Sequence, residues 1–98
     1  MLGNSFSAFA ANEDFLLVAK ARGFISWASM KCPSGLVRIT DQGALAVKLY
    51  DAMEWSEELE SASNYAWDQA VKHASEKSTE TMCRALTIML PELIELNH

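Results

Sequence analysis

Apolar residues recur at helical spacing along most of the chain. Leu45, Leu49, Ala52 and Met53 fall at i, i+4, i+7 and i+8. Leu59, Ala62, Ala66 and Ala70 form a second stripe, widened by Trp67, Val71 and Ala74. Met82, Leu86, Met89 and Leu93 form a third, widened by Cys83, Leu90 and Ile94. Upstream, Phe15, Leu16, Val18 and Ala19, then Phe24, Ile25, Trp27, Ala28 and Met30, keep the same period. Gly23 either ends that first helix or is carried inside it at about 1 kcal/mol. The small residues of the second stripe admit a close neighbouring helix, and Trp67 beside them is expected to be buried.

The polar residues between the stripes punctuate them. Asn12, Thr40, Ser56 and either Ser78 or Thr79 are placed as N-caps, with Glu13 and Asp14, Asp41, and Glu57 and Glu58 in the following first turns, where the helix dipole favours negative charge. Pro33 and Gly35 stop the first helix. Leu36 to Ile39 is too short to assign beyond a short strand or an extended linker. Pro91 either kinks the last helix or ends it and opens a new turn at its own N1 position. Residues 1–11 read as an N-terminal arm carrying Phe6 and Phe9. The expected fold is all-α: one helical domain over residues 1–98, a compact bundle of four to five helices with one short extended segment near residues 36–39.

Composition agrees with one domain. The chain has 98 residues, of which 50% are apolar and 21% charged, enough apolar content for burial to offset chain entropy. Its net charge is -5 and its pI about 4.9, which argues against binding nucleic acid by spreading positive charge over phosphates. The most apolar stretch, Leu86 to Leu96, is interrupted by Pro91, Glu92 and Glu95 and is shorter than the roughly 20 residues of a membrane span. Ala8-Phe9-Ala10 lacks the basic and apolar regions of a secretory signal. Two cysteines, Cys32 and Cys83, each within an apolar stretch, read as buried thiols of a cytoplasmic protein. A single disulfide is the alternative, requiring a Cα separation of about 4.4–6.8 Å.

Catalytic signatures are missing from the sequence. His73 and Glu76 sit at i, i+3, but a metal site needs three or four ligands and the other histidine is the terminal His98. Cys83 lies near a helix start, where thiols are activated, yet on an apolar ridge. Gly3, Gly23, Gly35 and Gly43 are isolated and form no phosphate loop. Glu57 and Glu58 point in different directions on a helix, and no feature builds the pocket that would split their pKa values. The expectation is a protein that is not an enzyme, with no cofactor and no metal.

One short segment carries a resemblance. Leu36-Val37-Arg38-Ile39-Thr40-Asp41-Gln42-Gly43-Ala44 resembles the exit from the wing of winged-helix proteins, where a short strand ends in Thr and Asp-x-Gly opens a helix. The resemblance implies a small transcriptional regulator with a basic recognition helix. Here the preceding helix offers only Lys20, Arg22 and Lys31, and a generic Thr-Asp cap explains the same letters.

Charge placement is the feature with a specific physical reading. Residues 1–50 carry five bases and three acids, residues 51–98 three bases and ten acids. Between Lys48 and Lys72 there is no base, while Asp51, Glu54, Glu57, Glu58, Glu60 and Asp68 all fall there. Carboxylates at i, i+3 and i+4 lie about 5–6 Å apart on a helix, a spacing broadly similar to that of successive phosphates. Tyr50, Trp55 and Asn64 are interspersed among them, and aromatics anchor interfaces. These nine residues are the candidate partner-binding set. The expected role is to bind and block or regulate a basic, nucleic-acid-handling protein or nucleoprotein complex, with no direct nucleic-acid binding and no membrane. In general character, though in no motif, the chain is similar to phage-encoded inhibitors of bacterial defence complexes, including anti-CRISPR proteins. The alternative is a homodimeric structural or adaptor module driven by Phe24, Trp27, Met30 and Trp55.

Overall fold

The computed structural model describes residues 13–97; the 1–11 arm, the Asn12 cap and His98 lie outside them. Helix accounts for 73% of it, in four helices accompanied by a small two-stranded sheet, so the all-α bundle is the observed architecture. The elements are α1 (Glu13–Lys31), β1 (Val37–Ile39), α2 (Asp41–Ala52), α3 (Glu57–Glu76), α4 (Thr79–Met89) and β2 (Ile94–Leu96). Three helix starts follow from their caps. The side chains of Thr40, Ser56 and Ser78 accept from the backbone N–H of Gly43, Leu59 and Thr81, three residues on, each satisfying a donor that the helix itself leaves unpaired.

α1 runs unbroken through Gly23 and is the central element, packing chiefly on α3 and then on α2. Gly23 is where it touches α3: a Cβ there would fall against the Ser63 carbonyl oxygen and lie 2.9 Å from the Ala66 Cβ. Arg22, one residue earlier, ties the three helices together. Its Nη1 donates to Ser63 Oγ at 3.2 Å, and its guanidinium lies 5.0 Å from the Tyr50 ring centroid. The core is built from Ile25, Trp27 and Ala28 of α1, Ala70 of α3, Met82, Cys83 and Leu86 of α4, and Ile94 of β2. The buried tryptophan is therefore Trp27, while Trp67, expected inside, is only half-buried at the edge of that cluster.

Three points of the expected fold are resolved or corrected. Of the two outcomes expected at Pro91 the second holds: the last helix stops at Met89, and Leu93 and Ile94, read as part of its ridge, lie beyond it. Residues 91–93 form a turn, and the chain re-enters as β2. β2 pairs antiparallel with β1, Ile39 opposite Ile94 and Val37 opposite Leu96, and Arg38 forms a cross-strand ion pair with Glu95. Pro91 explains the stop, and the reward is Ile94, which is fully buried. Second, the Leu45–Leu49–Ala52 stripe of α2 does not face the core. Leu45 and Leu49 are about half exposed and Ala52 is exposed, while Gly43 and Ala46 are buried. A Cβ on Gly43 would fall against the Leu93 carbonyl oxygen and lie 2.8 Å from Ile39 Cγ2. The helix thus turns its smallest side chains inward because the backbone before β2 comes too close for leucine. Third, Cys32 and Cys83 are not thiols but a disulfide, with a Cα separation of 5.9 Å. The bond joins the chain just after α1 to the first turns of α4, beside the sheet.

Thr40 is the hinge of this corner. Its Oγ1 accepts from the Gly43 N–H at 3.0 Å and donates to the Glu92 carbonyl at 2.6 Å, while its own N–H donates to the Leu93 carbonyl. One hydroxyl both starts α2 and holds the turn before β2. Thr40→Val keeps the shape and removes both bonds, so it is expected to destabilise by about 1–2 kcal/mol, and Thr40→Ser should recover most of the loss. Denaturant midpoints of the two variants check this. Equal stability of Thr40→Val and wild type would show that the hydroxyl contributes nothing.

Candidate protein-docking site

The chain between α2 and α3 is short, Met53 to Ser56, and it projects an indole. Met53 ends α2 with its N–H donating to the Leu49 and Tyr50 carbonyls, and Ser56 caps α3. Trp55 between them is 68% exposed, its Nε1 donating to Glu60 Oε1 at 3.2 Å. The indole therefore lies back towards the first turn of α3, with much of its apolar face in solvent.

Beside it is an open cleft of about 470 Å³, formed where the start of α1 approaches the α2–α3 connection. Phe15, Leu16, Met53 and Leu59 supply apolar walls with Trp55, and Glu54 and Glu58 lie on the rim. A smaller depression of about 160 Å³ shares Met53, Glu54, Trp55 and Leu59 and adds Tyr50 and Asp51. Apolar surface rimmed by one sign of charge is the composition of a recognition site.

Of the nine residues singled out from sequence, Tyr50, Asp51, Glu54, Trp55 and Glu58 meet around this pair of concavities. Tyr50 is half-buried, with Arg22 over its ring, so part of its surface is engaged internally. Glu57, Glu60, Asn64 and Asp68 are exposed and follow one solvent-facing line of α3. They form an acidic edge leading away from the cleft. Among the described residues none of Asp51, Glu54, Glu57, Glu58, Glu60 and Asp68 takes part in a salt bridge; the ion pairs there are Arg38–Glu95, His73–Glu76 and Arg84–Glu80. Sequence reasoning missed the apolar walls. Phe15 and Leu16 read only as part of the first helix's apolar period, and nothing local in the sequence separates them from the residues that follow.

Other chemistry is sparse. His73 Nδ1 stands 3.9 Å from Glu76 Oε1 with both side chains exposed, and among the described residues no group of three or more His, Cys, Asp or Glu is placed to hold a metal ion. Cys83 is committed to the disulfide. The wing-like segment 36–44 forms β1 and the start of α2, but β1 pairs with a strand from the far end of the chain. Among the described residues no helix is long and apolar enough to cross a membrane. No family model, no curated protein and no solved structure matches the chain.

Proposed function

We propose that this is a small, acidic, non-enzymatic protein that docks through Trp55 and its acid-rimmed cleft on a basic segment of a nucleic-acid-handling protein, and thereby blocks or regulates it. A phage-type inhibitor of a host defence complex, such as an anti-CRISPR, is the concrete version. The observation that carries the reading is the exposed indole of Trp55 set among carboxylates without basic partners. An apolar anchor surrounded by unneutralised charge complements a segment in which lysines or arginines flank an apolar side chain. The acidic edge along α3 extends the same field and would steer the encounter.

A cytoplasmic location goes with this reading, because such partners work there. The Cys32–Cys83 bond weighs against it, since reducing compartments rarely keep disulfides closed.

The test is capture from host lysate, with mass spectrometry of what is retained. Wild type is expected to hold a basic nucleic-acid-handling protein that a Trp55→Ala bait and a Glu54→Lys/Glu58→Lys bait both lose. The charge-reversed bait should stay folded, since exposed charges contribute little to stability. Association should slow as salt rises, and the partner's nucleic acid should compete. Equal retention by all three baits would sink the proposal.

One observation favours a second reading, a homodimer. α2 turns Leu45 and Leu49 outward, about half exposed. Sedimentation separates the two: a dimer abolished by Leu45→Asp/Leu49→Asp favours self-association, and a monomer leaves the docking proposal alone.

A further inference from the structure

A third concavity, of about 360 Å³, runs along the later half of α3, against α4 and Phe24 of α1. Its volume is within the range of small-molecule sites, roughly 300–1,000 Å³. It extends from Tyr65 to Lys77, about 18 Å at the helical rise. Its apolar surface comes from Phe24, Met82, Ala85 and Met89. Methionines suit an adaptable apolar wall, because an unbranched thioether can follow the shape of its occupant.

The charge of this groove is opposite to that of the concavities at the α2–α3 connection. The chain carries 13 acidic residues, and both concavities at the α2–α3 connection include carboxylates. This groove includes none among its lining residues, and its charged member is Lys77, with His73 one turn away. Glu80, at the start of α4, is held by Arg84 at 3.1 Å. At the other end Lys20 Nζ lies 6.0 Å from the Tyr65 ring centroid, so ammonium groups stand near both ends. An elongated apolar trough closed by a lysine, in a protein whose net charge would otherwise repel anions, suits a molecule with an apolar body and one anionic head.

We infer that the α1–α3–α4 groove is a binding site for a small amphiphilic carboxylate of the fatty-acid type. The body lies along Phe24, Met82, Ala85 and Met89, and the head is received by Lys77. The site is separate from the docking cleft and does not depend on the function assigned to that cleft.

Laurate below its micellar concentration is the probe, titrated into the full chain carrying ¹³C-methyl methionine. Met82 and Met89 report the groove, and Met30 and Met53 serve as internal controls. Saturable shifts are expected at Met82 and Met89 and not at Met30 or Met53. Lys77→Glu should weaken laurate at least tenfold, dodecanol should bind more weakly than laurate, and dodecyltrimethylammonium should gain no groove-specific shift. Ala85→Phe should fill the trough and abolish the shifts; should that variant fail to fold, Lys77→Glu on the exposed end of α3 still decides. Absence of saturation, equal shifts at Met53, unchanged affinity in Lys77→Glu, or equal affinity for the cationic analogue would each overturn the assignment.

Discussion

Opening the Cys32–Cys83 disulfide is expected to lower the thermal midpoint by roughly 10–30 °C. The bond spans 51 residues, and in the chain-entropy model closing a loop of that length removes about 4 kcal/mol of denatured-state freedom. Most of the core consists of side chains outside the bond, among them Ile25, Trp27, Leu86 and Ile94, all buried. The reduced protein should therefore still fold, helical and cooperative, but near the limit of stability. Cys83 is fully buried, so reductant should act slowly on the native state and quickly once it opens. Melting followed by circular dichroism, with and without dithiothreitol, gives the shift. A Cys32→Ala/Cys83→Ala variant should melt close to reduced wild type and ignore the reductant. Two titratable thiols in freshly prepared protein, or a midpoint indifferent to reduction, would refute this role.

Gly23→Ala is expected to destabilise by about 2 kcal/mol even though alanine is the better helix former by roughly 1 kcal/mol. At this position the new methyl meets the Ser63 carbonyl oxygen, which belongs to the α3 backbone and cannot rotate away. α1 and α3 must separate, and their separation also pulls Arg22 from Ser63 Oγ. Chemical denaturation should show a lower midpoint with little change in slope. A Gly23→Ala protein as stable as wild type would mean that the helices can part without loss, and that the close approach is incidental.

The same position shows how far the sequence could be read. The small-residue stripe at Ala62, Ala66 and Ala70 announced a close helix neighbour, and the structure supplies it at Gly23. The caps at Thr40, Ser56 and Ser78 were legible because a hydroxyl before an acidic first turn has a local partner three residues on. The face of α2 was not legible. Leu45 and Leu49 dominate any hydrophobic count, whereas what seats α2 is the absence of side chain at Gly43, a response to the backbone at Leu93 fifty residues away. The end of α4 stayed open in the sequence for a related reason: Leu93 and Ile94 keep helical phase with Met82 and Leu86, so periodicity alone does not choose between a kink and a stop at Pro91. The disulfide was hidden because two cysteines in apolar context pack equally well as thiols. At the candidate site the acids and Trp55 stood out in the sequence, but the apolar walls from α1 did not, since only the tertiary fold brings Phe15 and Leu16 to Met53 and Leu59.

The pairing of β1 with β2 has a consequence for synthesis. Leu96 follows its partner Val37 by 59 residues, and Cys83 follows Cys32 by 51. At ribosomal rates of 5–20 residues per second, Val37 and Ile39 wait about 3–12 s for their partner strand to be made. α1, α2 and α3 can assemble during that interval, but the Cys32 thiol stays open until Cys83 has emerged, and the strand edge until the chain beyond Pro91 has. The pairing and the disulfide of this corner are therefore both closed late, and a nascent chain stalled before Cys83 would carry an unpaired strand edge and a free thiol close together in sequence, both open to a neighbouring copy.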